Sequence, residues 1–115
     1  MKIAAASTDG INVDEHFGRA EFFTVVDVDE DGKILNSEIR EGLKACGGHT
    51  EEGLSQVLQT FSDCSYILAN KIGMHMVRAF AKQNIASFEV AGSLQKATEK
   101  IAAYEKKTKL RKVKS

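Results

Sequence analysis

The stretch Glu21–Arg40, EFFTVVDVDEDGKILNSEIR, decides how this 115-residue chain folds. Its first part is rich in aromatic and β-branched residues, which strands favour. Asp29-Glu30-Asp31-Gly32 follows, and Lys33–Arg40 then resumes with partial alternation of apolar and polar residues. Two strand-like runs around an Asp-Gly turn predict a β-hairpin.

The segments on either side of the hairpin extend this pattern. Before it, Lys2–Ser7 (KIAAAS) is a short apolar run that ends at the turn residues Thr8–Gly10, which predicts a buried strand. After it, apolar residues recur at helical spacing and predict an amphipathic helix over residues 51–61. Cys64–Asn70 (CSYILAN) is a continuous apolar run, short enough to be a central parallel strand.

The second half continues the alternation of strands and helices. Residues 71–73 lead into a second helix, and Ile85–Val90 is predicted to be the last strand. Ser93 is a suitable N-cap for a third helix that runs to Tyr104. The element order βββαβαβα predicts one α/β domain with a five-stranded mixed sheet flanked by helices.

Composition places the chain among globular proteins, with 43% hydrophobic and 28% charged residues. No apolar run reaches 18 residues, so no membrane span is predicted. The apolar run at the N-terminus is too short for a signal peptide, which predicts a cytoplasmic protein with reduced thiols. Cys64 opens a buried run and is therefore assigned to packing.

Charge is distributed unevenly, although the net charge is zero. Residues 105–115 hold six Lys/Arg against one acid, so this segment carries +5 and residues 1–104 carry −5. The sequence predicts a domain over 1–104 and a basic, solvated and flexible tail over 105–115. Contact of the tail with nucleic acid, an acidic partner or the domain itself is the alternative. Aromatic and basic residues do not interleave, so a nucleic-acid partner is not expected.

The loop before the first helix carries two soft metal ligands. Cys46 is followed by Gly47 and Gly48, and His49 stands just before the helix N-terminus. The helix dipole favours a thiolate there, and a thiolate beside an imidazole suits iron–sulfur or other thiophilic metals. These residues supply at most two ligands, so a closed four-ligand site needs others. A polar loop without any ligand accounts for the same pattern equally well.

The other two histidines lie near predicted loops. His16 follows Asp14-Glu15 and precedes Gly18, which lets the backbone turn sharply or approach a ligand closely. A histidine that hydrogen-bonds to the main chain is the alternative interpretation. His75 lies on the first turn of the second helix, beyond a parallel strand, where open α/β sheets bind ligands. Met76 beside it is interpreted as a core residue.

These residues resemble a known family, the dinitrogenase iron–molybdenum cofactor biosynthesis proteins, which include NifX, the NafY core and the C-terminal domain of NifB. The resemblance covers about residues 1–104 and rests on three stretches. They are Lys2–Ser7 with Val13–Ala20 and Phe22-Phe23, then Cys46–Gly48, and finally Ser62–Cys64 with Ile67-Leu68 and Lys71–Gly73.

The resemblance implies a fold and a role. The family has a five-stranded mixed sheet of RNase H-like topology, which agrees with the element order above. Its implied function is to bind or carry an iron–sulfur cluster or an iron–molybdenum cofactor precursor, with cofactor-assembly or acceptor proteins as partners. The cysteine-rich radical-SAM domain of NifB is missing from this sequence, so catalysis is not carried over.

Three functional hypotheses follow. The first is a non-catalytic carrier, with Cys46, His49 and His75 as metal ligands and His16, Gly18, Gly47 and Gly48 around the cargo. The second is a metal-independent interaction or regulatory module of the same fold. The third, a hydrolase, rests only on the presence of carboxylates and histidines and ranks last.

Overall fold

The computed structural model describes residues 1–42 and 51–114, with the backbone alone for Glu51 and 109–114. The strands are β1 (Lys2–Ala6), β2 (Asn12–Val13), β3 (Phe22–Val28), β4 (Ile34–Glu41), β5 (Tyr66–Ala69), β6 (Ala86–Glu89) and β7 (Gly92–Ser93). The α-helices are α1 (Glu51–Thr60), α2 (Met74–Lys82) and α3 (Leu94–Lys114), and Phe17–Arg19 form a 3-10 turn.

Strand β1 lies at the centre of the main sheet. It pairs antiparallel with β3 and parallel with β5, and the full order is β4-β3-β1-β5-β6. The α/β class, the five-stranded mixed sheet and the β3–β4 hairpin are therefore confirmed. A second, two-stranded ribbon of β2 and β7 was not predicted, because each strand has only two residues.

Helices cover both faces of the sheet. On the first face, α1 and α2 pack over an aromatic cluster whose neighbouring ring centroids are 4.8 to 6.2 Å apart. The members of this cluster are Phe17, Phe23, Phe61 and Phe80. On the second face, α3 packs its Leu94 and Ile101 against Ile3, Val26 and Leu68. Burial of this apolar surface is the main favourable term in folding.

The hairpin turn rests directly on α3. Gly32 has φ +84°, and a Cβ at this position would lie 2.6 Å from both the Glu99 Cα and the Thr98 carbonyl oxygen. The Thr98 hydroxyl donates a hydrogen bond of 2.7 Å to the Gly32 carbonyl. Glycine is therefore required at this turn, both for its backbone conformation and for the close approach of the helix.

Helix α3 begins as predicted and ends later than predicted. The Ser93 Oγ accepts a hydrogen bond of 3.2 Å from the Lys96 amide, which confirms the N-cap. The helix continues past Tyr104 to Lys114, since no Gly or Pro occurs between residues 94 and 114 to stop it. Flexibility of residues 105–115 stays a prediction. Neither α3 nor another helix of the described residues is apolar enough to cross a membrane.

An ion pair joins β4 to the end of α1. Arg40 donates from Nη1 and Nη2 to the two carboxylate oxygens of Asp63, at 2.7 and 2.8 Å. Its Nη1 also donates to the Thr60 carbonyl at 2.8 Å. The hydrogen bonds from Arg40, the largest cause, lower the pKa of Asp63 from 3.8 to about 2.

We predict that Asp63→Asn lowers the free energy of unfolding at pH 7 by about 1 kcal/mol, because Asp63 is 47% exposed and solvent screens the pair. Since folding lowers the pKa of Asp63, its contribution is present above pH 4 and is lost as the pH falls from about 4 to 2. Urea denaturation at pH 7 and pH 2 measures both effects. A difference between variant and wild type that persists at pH 2 would contradict this explanation.

Candidate functional site

Four strands of the main sheet run in the same direction. Strands β1, β5 and β6 are mutually parallel, and β4 joins them because β3 is antiparallel to both β1 and β4. Their carboxyl ends therefore lie at one edge of the sheet, called the carboxyl edge below. Open α/β sheets bind ligands outside this edge.

His16 lies at the carboxyl edge because its segment continues the pairing of β1 with β5. The Asn70 amide donates to the Glu15 carbonyl at 2.9 Å, and the Phe17 amide donates to the Lys71 carbonyl at 2.8 Å. The Phe17 ring is held in the aromatic cluster, so it anchors the residue beside His16. His16 itself is half-buried, and among the described residues its imidazole has no recorded hydrogen bond.

His75 lies on the first turn of α2, next along the same edge. Gly73 is the N-cap in an extended conformation, and the Ile72 amide donates to the Glu89 carboxylate at 3.0 Å. Ile72 and Met76 are buried, which confirms the interpretation of Met76 as core and fixes the start of the helix. The His75 side chain, between these two anchors in sequence, is exposed.

Asn70 connects three loops at this edge, a role that sequence reasoning missed. Its Nδ2 donates to the Val13 carbonyl at 2.7 Å and to the Val90 carbonyl at 2.8 Å. The signal available in the sequence is a polar side chain that ends an otherwise apolar strand. Because buried carbonyls need partners, one amide group here holds the ends of β2 and β6 close to the end of β5.

Gly18 stands on the exposed 3-10 turn next to His16. The left-handed glycines among the described residues are Gly10, Gly32 and Gly92, so the sharp turn predicted at Gly18 does not require a glycine. A Cβ at Gly18 would have no heavy atom within 4 Å beyond its chain neighbours. The surface beside this residue is open to close approach.

The remaining predicted site residues, Cys46, Gly47, Gly48 and His49, lie outside the described residues. Gly42, the last described residue before them, is at the carboxyl edge, where its amide donates to the Glu21 carbonyl at 2.7 Å. Within residues 1–42 and 51–114, no three His, Cys, Asp or Glu side chains are grouped so that they could hold a metal ion. The structure thus brings His16 and the loop before His75 together.

Residues 1–107 match the family described as dinitrogenase iron-molybdenum cofactor. This chain belongs to that family. The match includes every strand of the main sheet and all of α3 except its last turns. It also includes both of the histidines that the structure describes. No curated protein shows significant sequence similarity to the chain.

Solved structures share the family fold at low sequence identity. The apo form of the orange protein from Desulfovibrio gigas is 20% identical, with 87% of this chain and 85% of that chain covered and a TM-score of 0.63. A Methanocaldococcus jannaschii protein, provisionally named a dinitrogenase, is 17% identical with 91% and 90% covered and a TM-score of 0.62. A Thermotoga protein, provisionally named a NifB protein, is 18% identical with 91% and 87% covered and a TM-score of 0.56.

Cys64 is unsuited to metal binding in this member of the family. It is 5% exposed and packs in the core under α1 and α2, which confirms its assignment to packing. Burial, followed by the negative charge of Asp63, raises the pKa of the Cys64 thiol from 9.0 to about 12. The thiolate, which is the form that binds metals and reacts with disulfides, is therefore scarce at neutral pH.

We predict that Asn70→Ala lowers the free energy of unfolding by about 2 kcal/mol, because two part-buried carbonyls lose their donor. Asn36→Ala, on the exposed strand β4, is the matched control and should cost less than about 0.5 kcal/mol. Urea denaturation of both variants measures the difference. Equal midpoints for the two variants would show that Asn70 does not hold the loops together.

We predict slow modification of Cys64 in the Cys46→Ala variant, where it is the remaining thiol. At pH 8 the folded variant should react with Ellman's reagent at least ~100-fold more slowly than the same variant unfolded in urea, because little thiolate is present and the sulfur is buried. The rate of absorbance change reports the reaction. Comparable rates in the two states would refute the assignment of Cys64 to the core.

Proposed function

We propose that this chain is a non-enzymatic carrier of an iron–sulfur cluster or an iron–molybdenum cofactor precursor. Cys46, His49 and His75 are the proposed metal ligands. His16, Gly18, Gly47 and Gly48 are proposed to surround the cargo. Membership of the dinitrogenase iron-molybdenum cofactor family supports the class of cargo. The position of His16 and His75 at the carboxyl edge supports the placement of individual ligands.

The observation that carries the proposal is the meeting of two histidine-bearing segments at one sheet edge. The backbone bridge between His16 and Lys71 places the 3-10 turn beside the loop that leads to His75. Asn70 and Glu89 fix the two sides of this loop through hydrogen bonds to the main chain. A backbone that is fixed by hydrogen bonds keeps the exposed side chains above it in position as ligands without enclosing them.

Two further proposed ligands, Cys46 and His49, lie outside the described residues. Cys46 follows Gly42 by four positions in the sequence. His49 precedes the first residue of α1 by two positions. A cysteine thiolate and imidazoles form the soft donor set that iron–sulfur clusters accept.

Sparse and exposed ligation suits transfer better than storage. His75 is exposed and His16 is half-buried, and a Cβ at Gly18 would stand in open space. A cargo held by few side chains at the surface exchanges those ligands for the ligands of another protein without unfolding of the carrier. The partners we propose are therefore cofactor-assembly proteins that donate the cargo and acceptor proteins that receive it, in the cytoplasm.

We predict that the chain, reconstituted without oxygen with iron and sulfide, acquires visible absorption between about 320 and 420 nm from sulfur-to-iron charge transfer. Cys46→Ala and His75→Gln should lower the bound iron and acid-labile sulfide at least twofold. Cys64→Ala is the matched control because the Cys64 thiol is buried, and it should retain the wild-type metal content.

Gly18→Ala tests the surface beside His16. Since a Cβ at Gly18 meets nothing, the variant should keep the stability of the wild type and lose cargo only if the cargo lies against the turn. Metal analysis and thermal unfolding separate the two effects. Uptake of iron and sulfide that is equal in wild type, Cys46→Ala and His75→Gln would rule out the proposed ligands.

A metal-independent interaction module is the second candidate, and the path of α3 favours it. The helix continues through a segment that holds six Lys/Arg, while residues 1–104 carry −5. A helix with dense positive charge attracts an acidic protein surface over a range set by ionic strength. Partner capture that survives the combined loss of Cys46, His49 and His75 and fails at high salt would favour this candidate.

A further inference from the structure

Strand β6 is an edge strand of the main sheet, with β5 on one side of it and no strand of the described residues on the other. The Ala86 and Val90 amides both donate to carbonyls on the β5 side, at 3.2 and 2.9 Å. In a parallel ladder, successive residues direct their main-chain groups to opposite sides of the strand. The amides and carbonyls of Ser87 and Glu89 therefore point away from the sheet.

These outward main-chain groups have no hydrogen-bond partner within residues 1–42 and 51–114. An unpaired row of this kind is a template for another extended chain. The opposite edge strand, β4, discourages such pairing through an irregular register and three charged side chains, Glu38, Arg40 and Glu41. Strand β6 has a single charged side chain, Glu89, so its edge is the less protected of the two.

A groove of about 340 Å³ lies beside this edge, between β6 and α3 on the second face of the sheet. The buried side chains of Leu68 and Ile101 lie beneath it, and Phe88 and Tyr104, which are 39% and 57% exposed, form its walls. The Phe88 ring stacks on Tyr66 with ring centroids 5.8 Å apart, which holds this wall in place. The groove is thus a preformed apolar site that suits one large apolar side chain.

The acidic side chains of this region are engaged within the protein. Glu89 follows Phe88 and precedes Val90, which both line the groove, so its own side chain points to the opposite face of the sheet. There its carboxylate accepts the Ile72 amide at 3.0 Å. The Glu105 carboxylate, on α3, accepts a hydrogen bond from a tyrosine hydroxyl of β5. Neither carboxylate therefore faces the groove as a free negative charge.

The basic side chains on the groove side of α3 are free. Lys100 lines the groove, is exposed, and has no ion pair or hydrogen bond to the described residues. Lys107 is also exposed and lies further along the same side of α3, because seven residues make about two helical turns. Two positive charges beside an apolar groove favour a partner that combines an acidic group with an apolar one.

We propose that an extended segment of another protein adds to the free edge of β6 as a further strand. Its main chain hydrogen-bonds to Ser87 and Glu89, one large apolar side chain enters the groove, and one acidic side chain pairs with Lys100. Alternate side chains of a strand point to the same face, so the apolar and acidic residues are two positions apart in the segment. Main-chain hydrogen bonds supply affinity in this mode of recognition, and the groove supplies specificity.

The proposal goes beyond carriage of a cluster and uses none of the proposed metal ligands, so metal-free protein serves for the test. A displayed library of random short peptides, selected on the wild-type protein, is the probe. The selected peptides should share an aromatic or large aliphatic residue with Asp or Glu two positions away. Absence of this motif among the selected sequences would overturn the proposal.

Hydrogen exchange measured by NMR tests the pairing itself. A saturating amount of a selected peptide should slow exchange of the Ser87 and Glu89 amides at least about tenfold, because binding gives each amide an acceptor. Methylation of those peptide nitrogens that face β6 should abolish binding, whereas methylation of the intervening nitrogens should not. Binding that ignores this alternation would exclude strand addition. Slow exchange that appears without peptide and increases with protein concentration would assign the edge to a second copy of this chain instead.

Variants of the groove test its two side-chain contacts. Lys100→Glu and Tyr104→Ser should each raise the dissociation constant of the peptide at least about tenfold, measured by fluorescence anisotropy. Both side chains are exposed, so the Tm of each variant should stay close to that of the wild type. Arg19→Glu, on the 3-10 turn that leads into β3, makes the same change of charge away from β6 and should bind like the wild type. Wild-type affinity in Lys100→Glu and Tyr104→Ser would refute the proposed contacts.

Discussion

The burial of β1 between β3 and β5 is the constraint on which the rest of the structure depends. Ala4, Ala5 and Ala6 are fully buried; Ala4 and Ala5 pair with both β3 and β5, and Ala6 pairs with β3. Their small side chains let the aromatic cluster close over one face and the aliphatic residues of α3 over the other. Because β1 ends at Ala6, the chain leaves the sheet at the edge where β5 also ends, and the segment of His16 is placed there.

Much of the fold was predictable because it is encoded over short distances in the chain. The Asp-Gly turn, the apolar run of Cys64–Asn70 and the helical spacing after residue 51 each fit within one element. The β2–β7 ribbon was missed because Asn12-Val13 pairs with Gly92-Ser93, 80 residues later, and two residues carry no periodicity. The length of α3 was missed for another reason. Its basic residues were interpreted from their charge alone, although none of these residues ends a helix.

The part of the candidate site that could be predicted from the sequence is the part that the order and direction of the strands determine. The rule that ligands bind beyond parallel strands placed His75 correctly at the carboxyl edge, whereas His16 was singled out by its acidic and glycine neighbours in the sequence. The role of Asn70 depends on two carbonyls far away in sequence, so local patterns could not indicate it. The ligands in residues 43–50 stay a prediction.

The contact between the Gly32 turn and α3 has a consequence for the order of folding. The turn and Thr98 are 66 residues apart, so more than half of the chain lies between them. During synthesis the hairpin leaves the ribosome long before the helix that supports its tip. The hairpin therefore either stays uncovered on its second face until α3 has been made, or it forms late. Contacts between residues so far apart in sequence slow folding. Completion of the C-terminal helix, rather than formation of the local turn, sets the moment at which the sheet becomes closed on both sides.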